Sequence, residues 1–220
     1  MGRSRRFAFA DHVYHVLNRA NDRRQIFQTN GDYMAFLAIL AEGVRRFDTR
    51  LLAWCIMPNH WHLVLWPRCD GELSRFVSWI TLPHTQRRRW FHESVGHGHL
   101  YQGRFKSFVV QGDSHYLTVS RYVERNALRA NLVQHAQDWP WSSLRPYAGP
   151  PALVPAPGPL PRPDNWIEIC NTPQTGSEQD ALRCSLNSGR PYGDDAWIKE
   201  ASRQFGLPTS STRRGRPLKS

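Results

Sequence analysis

Along the first 145 residues the spacing of apolar positions switches between every second residue and every third or fourth. Val13 to Asn18 (VYHVLN) reads as a short strand, followed by a basic turn from Arg19 to Arg24. Asn30-Gly31-Asp32 then introduces a helix whose Phe36, Leu37, Leu40, Ala41 and Val44 recur at helical spacing. Leu51 to Met57 is a second β-like run, and Pro58-Asn59 supplies turn chemistry before a third strand inside MPNHWHLVLW (residues 57–66). A second helical pattern begins near Glu72, with Leu73, Phe76, Val77 and Ile80 on one side, and Pro83 is expected to kink or end its first part. Arg104 to Val110 (RFKSFVV) alternates as a half-buried strand does, with Arg104 and Lys106 outward. From Asp113 to about Ala130 the pattern is helical, with Asp113 or Ser114 as N-cap and Asn131 placed to end it.

The order β, α, β, β, α, β, α matches an α+β fold of the ferredoxin-like kind: an antiparallel sheet with helices on one face, plus an added helix after the last strand. Trp139-Pro140-Trp141-Ser142-Ser143 reads as a packed tail closing the core of a domain spanning residues 1–145. Prolines are dense from Pro146 to Pro163, so residues 146–165 are expected to be an extended linker. Residues 166–220 would form a C-terminal extension with a basic tail, Arg213-Arg214-Gly215-Arg216-Pro217. Its R-G-R-P core is similar to an AT-hook, although a solvated basic end is an equal reading. Arg3, Arg5 and Arg6 give residues 1–11 the look of a basic arm.

Charge narrows the partners. The 220 residues carry 29 Lys and Arg against 18 Asp and Glu, a formal net charge of +11. This balance points to a polyanion, nucleic acid before a membrane surface. No apolar run approaches the roughly 20 residues of a membrane span, and the start of the chain lacks the apolar stretch of a signal peptide. The expected location is the cytoplasm, in association with the nucleoid. Cys55, Cys69, Cys170 and Cys184 are scattered with no C-x-x-C pair, which suggests neither a zinc ribbon nor a disulfide framework.

The candidate chemistry lies in the hairpin and in the helix after the last strand. His60 and His62 flank Trp61, so on a strand both imidazoles share one face. Taken alone, such a pair is more often only a feature of a solvated sheet face. Tyr122 and Asn126 are four apart and project to the same side of a helix. If that side lies over the hairpin, His60, His62 and the Asn126 amide could hold a divalent ion beside the Tyr122 hydroxyl, an arrangement suited to phosphoryl transfer. A core tyrosine is the plainer role for Tyr122, and Tyr101 and Tyr116 compete as nucleophiles. Arg87, Arg88 and Arg89, next to Trp90 and Phe91, combine cations with aromatics as a strand-binding surface does, or as a solvated helix end does. Arg104 and Lys106, with Arg214 and Arg216 in the tail, complete the expected DNA contacts.

The string MPNHWHLVLW, taken with YQGRFKSF (101–108), RYVERNALRANLV (121–133) and WPWSS (139–143), resembles the REP-associated tyrosine transposases of the single-tyrosine HUH nucleases. The likeness extends to YHVLNRAN (14–21), GRPYGDDAWI and RRGRPLK. It implies a nuclease that cleaves single-stranded DNA near a hairpin with Mg²⁺ or Mn²⁺, its substrates being REP-type palindromes. His60 and His62 match the metal ligands, Asn126 the third ligand and Tyr122 the nucleophile that takes the 5′-phosphate. Ala127 and Asn131 stand where many relatives have Pro and Gly. Members act as monomers or as dimers exchanging the tyrosine helix, so either state is open. A hairpin-binding regulator that does not cut is the alternative reading of the same charge.

Overall fold

The computed structural model describes residues 8–91, 98–145 and 152–207. Arg214 and Arg216 lie outside the described residues. The core is a four-stranded antiparallel sheet of β1 (Val13–Arg19), β2 (Arg50–Met57), β3 (His60–Trp66) and β4 (Lys106–Val110), in the order β2-β3-β1-β4. With α1 (Asn30–Phe47) after β1 and α2 (Glu72–Phe91) after β3, this is the ferredoxin-like arrangement. No helix among the described residues is long and apolar enough to cross a membrane.

Strand alternation divides the apolar side chains between two faces. Val16, Leu51, Trp61, Leu63, Leu65 and Val109 meet Phe36, Leu37, Leu40, Phe76 and Ile80 of α1 and α2. On the opposite face Val13, Ala53, Cys55, Val64, Phe108 and Val110 meet Tyr116, Val119, Tyr122 and Val123 of α3 (Ser114–Glu124). Complete burial of a Phe or Leu stabilises by about 1.5–3 kcal/mol, which holds both layers on the sheet. Gly43 lets α1 and α2 touch: a Cβ there would lie 3.0 Å from Ile80 Cγ2. Thr29 and Asp32 form a reciprocal capping box that starts α1.

Two local expectations are corrected. Pro83 does not end α2, which runs on to Phe91. A proline removes one backbone donor, and the buried residues on both sides of it, Phe76, Val77, Ile80 and His84, keep the helix docked. The helix after β4 is not continuous. Arg125, with φ −82° and ψ −2°, separates α3 from the short α4 (Asn126–Arg129), and its Nη1 donates to the carbonyls of Cys170 (2.8 Å) and Asn171 (2.6 Å). Asn131 takes the left-handed conformation, φ 55°, beyond the end of α4.

The chain beyond residue 138 covers both sheet edges. Trp141 O accepts from Ile56 N, and Ser143 N donates to Trp54 O, alongside β2. The described part of the Pro-rich segment is extended, as its prolines dictate, yet it lies against the sheet: Leu153 is buried and Ala156 N donates to Leu51 O. After α5 (Trp166–Asn171) and α6 (Gly176–Ser188), Tyr192 pairs with the β4 edge through Val109 and Gln111. From α7 (Asp195–Phe205), Ala201 and Phe205 join the α1–α2 core. Among the described residues, both edge strands therefore have backbone partners for part of their length.

Candidate active site

The turn before β3 is held from outside. Pro58 O accepts from Ile26 N and Phe27 N, and Asn59 O accepts from Ala20 N, so His60 starts β3 at a fixed point. His60 and His62 face α3, while Trp61 and Leu63 point into the opposite core. Their ring centroids are 5.0 Å apart, and the His62 ring lies 5.9 Å from that of Tyr122. Asn126, one turn beyond Tyr122, lines the same cleft of about 570 Å³. The structure thus brings together His60, His62, Tyr122 and Asn126, residues up to 66 positions apart.

Burial and neighbouring groups bear on the state of both histidines. His60 Nδ1 donates to Asn59 Oδ1 at 2.6 Å, which leaves Nε2 as its lone-pair nitrogen. Burial, then the Arg19 and Arg129 charges, pushes His60 down to about 3. His62 is held well below the ordinary histidine range by burial, by His60 and His15, and by the same arginines. Both imidazoles are therefore neutral at pH 7, as metal ligation requires. The Asn126 side chain is buried and its Nδ2 has no partner among the described residues. Two neutral imidazoles and an unengaged amide fit a divalent ion of the kind implied by the resemblance. Among the described residues, this cleft included, no group of three His, Cys, Asp or Glu side chains is arranged to hold an ion, so the candidate set rests on two imidazoles and the Asn126 amide.

Tyr122 is 5% exposed, and its hydroxyl makes no hydrogen bond among the described residues. Arg129 Cζ sits 4.2 Å from its ring centroid. The competing tyrosines are differently placed. Tyr101 has its hydroxyl between Trp61 Nε1 (3.0 Å) and His84 Nδ1 (2.6 Å), and burial raises its ionisation far above the usual range. Tyr116 is 1% exposed and lies under Gly158, where any Cβ would collide with its hydroxyl.

Of the expected DNA contacts, Arg104 and Lys106 line the cleft. Arg87 and Arg89 are exposed at the end of α2, outside it, with Arg87 over the Phe91 ring at 4.2 Å. Arg88 corrects its expectation: it is 9% exposed and donates to Gln25 O at 3.2 Å, so it fastens α2 to the preceding loop. Sequence reasoning missed Arg19, Arg129 and Arg183, which also line the cleft. Arg129 follows Tyr122 by seven positions, two helical turns, and that spacing could have marked it. Arg183 arrives on α6 from the C-terminal extension, which no local pattern connects to the site.

The family model described as Transposase IS200 like matches residues 8–126, more than half of the chain. The chain belongs to this family. The matched span contains all four strands together with His60, His62, Tyr122 and Asn126, and the family likeness read from MPNHWHLVLW is borne out. This IS200-like transposase is therefore a DNA-processing protein. A REP-associated tyrosine transposase, solved bound to a REP hairpin, is similar at 21% identity over 65% of this chain and 82% of that one, with a TM-score of 0.53. At that identity the likeness speaks for the fold. A protein from Deinococcus radiodurans R1 is similar at 20% identity over 56% of this chain and 96% of that one, with a TM-score of 0.41. Nothing among curated proteins matches.

Proposed function

We propose that this transposase is a single-strand DNA endonuclease and strand-transferase acting on hairpin DNA of the REP type. Tyr122 is its nucleophile, and His60, His62 and Asn126 are the residues that would hold Mg²⁺ or Mn²⁺. The observation that carries the reading is the 5.9 Å separation of the His62 and Tyr122 rings within a cleft that also holds Asn126. The REP hairpin bound by the similar transposase supports the substrate class.

When bound, the ion would polarise the scissile phosphate. The protein does the rest. Arg19, Arg104 and Lys106 face a phosphodiester with positive charge, and among the described residues no Asp or Glu lines the cleft to oppose it. The Tyr122 oxygen, which makes no hydrogen bond among the described residues, loses its proton and attacks phosphorus as the bond to the 3′-oxygen breaks. That oxygen takes up a proton and leaves as a hydroxyl. A 5′-phosphotyrosine and a free 3′-end result, and the link retains the energy for rejoining. Arg129, its guanidinium over the Tyr122 ring, adds positive charge to the cleft in which the phosphate reacts. Tyr122 lies beside the histidines of its own chain, which supports a monomer that holds the whole set; a dimer exchanging the tyrosine helix is the other state. Outside the cleft, Arg87 and Arg89 with Trp90, 82% exposed, offer cations and a stacking surface to the rest of the DNA.

The test is incubation with labelled hairpin oligonucleotides, with Mn²⁺ or with chelator, scored for an adduct that survives denaturing electrophoresis. The expected result is an adduct only with the ion. Binding that persists in chelator while no adduct forms under any condition would overturn the nuclease and leave a hairpin-binding regulator.

A further inference from the structure

His15 stands behind His62 and no role described so far uses it. It is fully buried in the middle of β1, its ring stacked on Phe108 at 4.9 Å. Its Nε2 lies 2.8 Å from His62 Nδ1. One proton is shared across that contact, so the pair has two arrangements. In the first, His15 donates, and His62 carries its own proton on Nε2, the nitrogen left to the cleft. In the second, His62 donates from Nδ1 to His15, and its Nε2 presents a lone pair.

We infer that His15 is a positioning residue that presets His62 in the second arrangement, with the Nε2 lone pair directed into the cleft before any ion arrives. Arg19, Arg104, Lys106 and Arg129 line that cleft, with no acidic residue among the described lining, and a positive field favours a lone pair over an N–H dipole pointing into it. The opposing cost is His15 Nδ1, which then carries a hydrogen while buried with no partner among the described residues. His60 has a parallel device: Asn59 Oδ1 accepts from its Nδ1. Both histidines would thus be oriented by a neighbour on the side away from the ion, as ligating histidines in metalloproteins are. The inference rests on the proposed roles of His60 and His62 and adds the residue that sets the tautomer of one of them.

The decisive experiment reads the tautomer directly. Long-range ¹H–¹⁵N NMR on the metal-free, full-length protein is expected to show His62 protonated on Nδ1 and His15 accepting at Nε2. His62 protonated on Nε2 would overturn the inference whatever the variants do. Calorimetric titration with Mn²⁺ in the Tyr122→Phe background, with hairpin DNA present, supplies a second readout. His15→Leu is expected to weaken Mn²⁺ binding by about 10–100-fold. His15→Gln, whose side-chain oxygen can accept from His62 Nδ1, should restore most of it. Unchanged Mn²⁺ affinity in His15→Leu sinks the inference while leaving the nuclease standing. A protein with Tyr122 intact that binds no Mn²⁺ and forms no adduct sinks both.

Discussion

Replacing Tyr122 by Phe removes one oxygen that the protein itself does not use. The hydroxyl makes no hydrogen bond among the described residues, and the ring keeps its place under Arg129, 4.2 Å away, a contact worth about 0.5–2 kcal/mol that Phe retains in large part. The change in unfolding free energy should therefore stay within about 0.5 kcal/mol. No positive charge is lost, so the hairpin Kd should stay within about twofold, or 0.4 kcal/mol. Adduct formation should vanish. Tyr101→Phe is the contrasting substitution, because it strips the hydroxyl from between Trp61 Nε1 and His84 Nδ1. Two buried nitrogens lose a partner at about 1–2 kcal/mol each, so stability should fall by about 2–4 kcal/mol. The adduct yield per folded molecule should nevertheless persist. Urea unfolding, a binding isotherm and a denaturing gel on each variant separate the roles. An adduct that survives in Tyr122→Phe would move the nucleophile elsewhere, and a tenfold loss of hairpin affinity there would show that the hydroxyl binds DNA.

Glu124 is fully buried and accepts from Ser143 Oγ, Arg162 Nη2 (2.8 Å) and Trp166 Nε1 (2.7 Å), which ties α3 to the C-terminal extension. Glu124→Ala should lower urea-measured stability by about 3–5 kcal/mol, and a loss under 1 kcal/mol would show the cluster to be unimportant. His15 and His84 are both held down at about 3 by burial, whereas an unfolded histidine takes its proton near 6.5. Between those values the unfolded chain binds more protons, so stability falls as pH falls, by up to about 1.4 kcal/mol per pH unit for each histidine. Urea midpoints that stay flat from pH 6.5 to 4 would contradict this. Arg104→Gln should weaken hairpin binding about equally across sequences and reduce the salt slope by about one unit; an unchanged slope would remove Arg104 from the phosphate path.

Much of this protein was legible locally. Alternation in VYHVLN and HWHLVLW follows from the two-residue period of a strand, and it put His60 and His62 on a common face because neighbouring side chains have no other choice. Tyr122 and Asn126 share a side for a similarly local reason, one helical turn, and the break at Arg125 did not separate them from the cleft. Arg88 was not legible: three consecutive arginines look alike in a string, and only the packing of α2 on the Gln25 loop turned the middle one inward. Pro83 did not end α2 because the penalty of one lost hydrogen bond is local, whereas the burial that outweighs it comes from α1 and the sheet.

Residue order alone determined the order of strands and helices, the family and the pairings His60 with His62 and Tyr122 with Asn126, since these depend on periodicity and on motif. The meeting of the two pairs waited on the packing of α3 over the sheet. Which tyrosine hydroxyl was left without a protein partner was decided only when β3, α2, α3 and the Pro-rich segment closed around the other two. The same holds for His15 behind His62 and for Arg183 reaching the cleft from a helix 61 positions beyond Tyr122. Those are contacts across the sheet, and a one-dimensional pattern carries no distance between elements that meet only when the core forms.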